Sequence, residues 1–186
     1  MTPQRKLFNY GIREERSDVR VHVSPVTQRL YVFPTADVQK LLNERGEEFR
    51  EVPAYQDGID YATATGLLVP WNQIPNIRVV RVPKEWWADG YFQAHHTTTT
   101  KGQRAVQLVT RGLEEGYIPL PFNGKGAFNG ITEPTNVVVQ RDGSDVIVCG
   151  RLRIQVKCDW LAGPKELNGS GHIFLQLTEL NPRKRY

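Results

Sequence analysis

Hydrophobic and polar positions alternate most cleanly in two places that lie far apart along the chain. Near the start, Val19, Val21 and Val23 alternate with Arg20, His22 and Ser24, a break follows at Ser24 to Gln28, and Leu30 to Phe33 form a second apolar run. Period-two patterning on both sides of a proline-containing break predicts a β-hairpin with a half-buried face. A short helix should follow, with Thr35 as its cap, Val38, Leu41 and Leu42 as its apolar stripe, and Gly46 as a left-handed stop. Between about Val52 and Gly90 the pattern weakens. Prolines, scattered aromatics and the strand-like run Ile77 to Val82 predict loops with short strands.

A second helix is predicted from Thr100 to Glu115. Thr100 and Gln103 have capping-box spacing, Ala105, Val106, Leu108, Val109 and Leu113 fall on one face, and Gly116 suits the C-terminal cap. Tyr117 to Phe122 then reads as a proline-interrupted edge strand, followed by a Gly/Asn-rich loop to about Asn136.

The second alternating region is a meander: Val137 to Gln140, a turn signal at Arg141 to Ser144, Asp145 to Val148, a break at Cys149 and Gly150, and Arg151 to Cys158. Leu152, Ile154, Val156 and Cys158 share one face, and Arg151, Arg153, Gln155, Lys157 and Asp159 share the other. Opposed residues on antiparallel strands project to the same face, so their polarity should match. A two-residue loop at Cys149 and Gly150 mismatches every pair. A three-residue loop, Cys149 to Arg151, instead opposes Val148 to Leu152, Val146 to Ile154 and Asp145 to Gln155. It also sends Cys149 and Cys158 to opposite faces, which argues against a disulfide between them.

This register gathers a carboxylate, an amide oxygen and an ammonium on one face. Phosphodiester hydrolysis uses such groups: oxygen ligands hold a hard Mg²⁺ beside the phosphate, and a lysine orients or deprotonates water or offsets developing charge. With a single carboxylate, metal binding should be weak until a DNA phosphate completes the shell. A polar, solvated sheet face is the other reading of the same pattern.

Composition changes this picture little. The 186 residues, 39% of them hydrophobic, are enough for a buried core, and a net charge of +4 is compatible with a polyanionic partner without requiring one. The basic cluster Arg183, Lys184 and Arg185 reads first as a solubilising tail. With two cysteines, no apolar leader and no run near the roughly 18 apolar residues of a membrane span, the chain is expected to be soluble and intracellular (cytoplasmic). Trp86 and Trp87 read as packing residues ahead of base-stacking ones. His95 and His96 have neither a nearby cysteine nor a third histidine at ligand spacing.

Lys101 to Ala105 on a helix, Leu113 to Tyr117 leading into a strand, Ser144 to Val148, and Arg153 to Lys157 together resemble the PD-(D/E)xK nuclease superfamily in order and rough spacing. The resemblance covers about residues 100 to 158 and is greatest to the branch with glutamine in place of the second acid, which includes restriction-like and intron-encoded homing endonucleases. It implies that Asp145 is the metal-binding aspartate, Gln155 the substituted acid and Lys157 the catalytic lysine. Gln103 stands where many members carry a helix glutamate, Ser144 replaces the proline that usually precedes the aspartate, and the interval from Asp145 to Gln155 is short. In some relatives the core is followed by a basic-aromatic stretch, a strand pair and a helix. Asp18 to Leu42 looks like that tail, yet lies at the N-terminal end, as a circular permutation or a duplicated module would explain.

The expected fold is therefore α/β (α+β): a restriction-endonuclease-like mixed sheet flanked by helices, with a β-rich N-terminal extension. Residues 1–90 would form the hairpin, helix and loop-rich region, and residues 91–186 the nuclease core. The expected activity is Mg²⁺-dependent DNA cleavage, with Mn²⁺ able to substitute: Asp145 and Gln155 hold the metal, Lys157 assists the water, and Gln103 is a further candidate. Arg151, Arg153, Lys125, Arg183, Lys184 and Arg185 are candidate DNA contacts. Cutting both strands of double-stranded DNA with one site per chain calls for a homodimer or higher homo-oligomer. Sequence-specific cleavage of restriction or homing type is the first expectation. Junction-selective cleavage and a non-catalytic DNA-binding or phage structural role are the alternatives.

Overall fold

The computed structural model describes residues 17–55, 62–88, 92, 98–118, 139–142, 145–148 and 152–177. Among them are nine β-strands and two α-helices, an α+β arrangement with two sheets. The hairpin forms as predicted, from β1 (Val19–Ser24) and β2 (Arg29–Pro34), with Val21 opposite Val32 and His22 opposite Tyr31. The meander forms too, from β6 (Val139–Asp142), β7 (Asp145–Val148) and β8 (Leu152–Cys158). Both belong to one six-stranded sheet, ordered β5-β2-β1-β8-β7-β6, whose outer strand β5 is Arg78–Val80. β1 runs parallel to β8, and every other pair is antiparallel. Residues 19 to 34 thus lie in the same sheet as the meander, next to the strand that carries Gln155 and Lys157.

The parallel contact corrects the half-buried hairpin. All six residues of β1 are buried, including Arg20, His22 and Ser24. A strand in the middle of a sheet covered on both sides has no solvent face, which short-range alternation does not reveal. On one side Val19, Val21, Val23, Val146, Val148, Leu152, Ile154 and Val156 pack against the stripe Ala105, Val106, Leu108, Val109 and Leu113 of α2 (Thr98–Glu114). Complete burial of each such Val, Leu or Ile contributes about 1.5–3 kcal/mol. Trp86 and Trp87 join this core, and the Arg111 guanidinium carbon sits 4.1 Å from the Trp86 ring centroid, in line with the packing reading of both tryptophans.

On the other side Tyr31 and Phe33 meet α1 (Thr35–Arg45), through Val38, Leu41 and Leu42, and a second sheet, through Leu67, Val69, Ile173 and Leu175. That sheet is ordered β3-β4-β9 and formed by Arg50–Tyr55, Ala62–Pro70 and His172–Leu177. The nine-residue β4 is longer than the short strands expected among loops after Val52. Its ladder runs through Gly66, and its residues Thr65 and Ala64 pair with Pro53 and Ala54 of β3, a composition that reads locally as loop.

Three terminal details differ from expectation. Pro34, at φ −68° and ψ 134°, occupies the N-cap of α1; Thr35 is already helical, and its hydroxyl pairs with Ser17 Oγ at 2.9 Å. Gly46 is right-handed (φ −56°) and opens a 3₁₀ turn, where no left-handed residue is required. α2 starts at Thr98, which puts Thr100 inside the helix and removes its capping-box role. At the far end Gly116 takes φ 80°, and the Tyr117 N–H donates to the Gly112 carbonyl at 2.8 Å, as the cap reading requires. Tyr117 and Ile118 are not strand; residues 119–122 of the expected edge strand, and His95, His96 and Cys149, lie outside the described residues. Cys158 is a free thiol, pushed by burial up to about 12.

Candidate nucleic-acid cleavage site

The register of β7 and β8 decides whether Asp145, Gln155 and Lys157 share a face. Asp145 pairs with Gln155, Val146 with Ile154 and Val148 with Leu152, the pairing of a three-residue connection. The apolar residues of β8 are buried in the α2 core, while Arg153, Gln155 and Lys157 alternate with them on the opposite face and are half-buried. Parallel pairing then sets Arg20 beside Gln155 and His22 beside Lys157. One row across the sheet therefore reads Asp145, Gln155, Arg20, Phe33, and the next contains Lys157, His22 and Tyr31.

Burial increases along these rows. Gln155 and Lys157 on β8 are half-buried, Arg20 and His22 on β1 are 3% and 0% exposed, and Phe33 and Tyr31 on β2 are fully enclosed. The second sheet and α1 thus enclose the residues of β2 and β1 more completely than Gln155 and Lys157 of β8 are enclosed.

The buried part is held by a short chain of hydrogen bonds. His22 Nδ1 is 2.9 Å from Asp159 Oδ2, and Arg20 Nε donates to His22 Nε2 at 3.4 Å. Both contacts are satisfied by one neutral tautomer, with the proton on Nδ1 and the lone pair on Nε2. Burial lowers the His22 pKa below 6.5; the Asp159 hydrogen bond opposes this, and the charges of Arg20 and Lys157 reinforce it. Asp159 Oδ2 also accepts the Phe174 N–H of β9 at 2.9 Å, tying this chain to the second sheet.

The remaining sequence candidates are distributed differently. Arg153 is on the Gln155 face, and its backbone is clamped to Asp18: Arg153 N–H donates to Asp18 Oδ2 at 3.0 Å, and Asp18 N–H donates to the Arg153 carbonyl at 2.7 Å. Gln103 is exposed on α2, the helix that packs on the valine face, so it is not brought together with Gln155 and Lys157. Lys125, Arg151, Arg183, Lys184 and Arg185 lie outside the described residues. Arg20 and His22 escaped the sequence reading because their alternation with valines looks like a solvated face; only the pairing of β1 with β8 turns them inward. Asp159 was visible as the residue following Lys157 on the predicted Gln155 face.

Among the described residues no three His, Cys, Asp or Glu side chains cluster as a metal site. Asp145 and Gln155, a carboxylate and an amide residue, occupy paired positions on adjacent strands, whose backbones lie about 4.8 Å apart. Such a donor set fits a hard, oxygen-seeking cation that keeps several waters, as Mg²⁺ does. No helix among the described residues is long and apolar enough to cross a membrane. Comparison with family models, with curated proteins and with solved structures returns no match.

Proposed function

We propose that the protein is a Mg²⁺-dependent DNA endonuclease. The observation that carries this reading is the β7–β8 register, which pairs Asp145 with Gln155 and leaves Lys157 two residues further along the same face. Asp145 and the Gln155 side-chain oxygen would hold the metal, which when bound supplies Lewis acidity at the scissile phosphate. Lys157 orients the attacking water or offsets charge at the phosphate, and Arg153 contacts the backbone of the duplex. The valine face packed on α2 fixes the backbones of β7 and β8 against each other.

The fold supports a restriction-like core in permuted order. Among the described elements α2, β6, β7 and β8 follow one another in the chain, and β1 supplies the parallel neighbour of β8 from the N-terminal side. Since each chain has one such site, cutting both strands requires two subunits, and a homodimer or larger assembly acting on double-stranded DNA is part of the proposal.

Supercoiled plasmid, linear duplexes of varied sequence and a four-way junction, each incubated with Mg²⁺ or Mn²⁺, test the reading. Nicked or linear products from wild type, lost in Asp145→Ala and Lys157→Ala, are expected. Preference for the junction would move the activity to structure-selective cleavage, and no product from any substrate would leave only a binding role.

A further inference from the structure

The trio does not account for the charged groups buried behind it. Arg20 is 3% exposed and lies between Gln155 on one side and Phe33 on the other. Enclosing a guanidinium is costly even where it is paired, and an apolar β-former often fills such a place in a strand at equal or lower cost. Its orientation is also constrained. Nε is bound by His22, His22 is bound by Asp159, and Asp159 is anchored to the β9 backbone. A three-member chain that crosses from one sheet to the other thus fixes the torsions of a permanently charged side chain one strand away from Gln155 and two from Asp145.

We propose that Arg20 is a further charge of the candidate site, and that His22 and Asp159 are the positioning residues that hold it there. This rests on the nuclease reading. In a partly covered, low-dielectric face a fixed cation acts over several ångströms without touching the substrate. It opposes binding of a divalent cation to the free protein and offsets the negative charge of a DNA phosphate once the duplex is bound. His22 is suited to the bridge because its neutral form accepts from Arg20 and donates to Asp159 without adding a second positive charge beside Arg20 and Lys157.

The test uses the full chain and two readouts: Mn²⁺ affinity of the free protein, followed by electron paramagnetic resonance, and kcat and KM on a duplex that wild type cleaves. Arg20→Gln is expected to bind Mn²⁺ at least threefold more tightly and to cut at least tenfold more slowly, with KM within twofold. A merely structural role gives the opposite metal result, since a disordered site binds metal more weakly. Arg20→Lys should keep wild-type Mn²⁺ affinity and regain part of kcat, and His22→Gln should lie between the two. Unchanged or weaker Mn²⁺ binding in Arg20→Gln would overturn the proposal. Should that variant not fold, Arg20→Met is measured in its place: Mn²⁺ binding at least threefold tighter with kcat lowered at least tenfold supports the proposal, and unchanged or weaker Mn²⁺ binding overturns it. Full-rate cutting by the Arg20 variants removes this inference alone, whereas a wild type that cuts no DNA removes the nuclease reading and this inference with it.

Discussion

His22 and Asp159 are 137 residues apart in the chain and meet at 2.9 Å between Nδ1 and Oδ2, with the histidine fully buried. Asp159 Oδ2 serves two donors, the His22 ring and the Phe174 N–H, so this one carboxylate joins the six-stranded sheet to the three-stranded one. Asp159→Ala leaves two donors without their acceptor. Each such loss costs about 1–3 kcal/mol, and a combined destabilisation of about 2–5 kcal/mol is expected in a denaturant titration. A change below about 0.5 kcal/mol would show that the contact between the sheets does not depend on this residue.

Burial of neutral His22 also predicts a pH dependence. The pKa of the folded protein lies below the ordinary 6.5, so the unfolded chain takes up a proton that the folded chain resists. Stability from this group is complete above pH 6.5 and is lost as the pH falls towards the folded value, at a slope of up to about 1.4 kcal/mol per pH unit. Arg20 and Lys157 favour the neutral form, and Asp159 opposes it. Stability measured from pH 7.5 to 5 should decline in wild type and decline less in His22→Gln. Parallel curves for the two proteins would exclude His22 as the source.

Gln155 supplies an amide where a carboxylate would bind a hard cation more strongly. Gln155→Glu is expected to lower the Mg²⁺ or Mn²⁺ concentration for half-maximal cleavage, on the order of tenfold, because ligand charge sets affinity for such ions. An unchanged or higher requirement in a metal titration would place the metal away from β8.

Lys157 is assigned to the chemical step more than to affinity. Lys157→Ala should lower kcat by on the order of 10²-fold or more, with duplex affinity at fixed salt changed by less than about threefold. Arg153→Ala should do the reverse, weakening binding and reducing its salt dependence by about one phosphate contact. Loss of affinity in Lys157→Ala with kcat intact would reassign it as a backbone contact.

The parts of this arrangement legible in the sequence are those fixed by neighbours along the chain. The hairpin of β1 and β2, the stripe of α2 with its Gly116 cap, and the Asp145 to Gln155 register all follow from local periodicity and loop length. What was hidden depends on contacts between distant segments. β1 beside β8 is a parallel pair of strands more than a hundred residues apart, and no periodicity encodes such a partner. The same holds for β9, whose partner β4 is likewise remote. Because β1 is central, Arg20 and His22 became part of a buried face that their alternation with valines had assigned to a half-buried strand. The N-terminal ends of α1, capped by Pro34, and of α2, at Thr98, were missed for a smaller reason, since Thr35 and Asp37, and Thr98 to Thr100, all have capping ability and pattern could not choose among them.

The central claim is that the Asp145–Gln155 pair, with a divalent cation, cuts DNA. The most direct measurement is the single-turnover rate of phosphodiester cleavage on one supercoiled plasmid, for wild type and Asp145→Asn, with Mg²⁺ and with EDTA. The account predicts cleavage by wild type with Mg²⁺ only, abolished by EDTA and lowered at least about 10³-fold in Asp145→Asn. Cleavage that persists in EDTA, or that proceeds at the wild-type rate in Asp145→Asn, would contradict it.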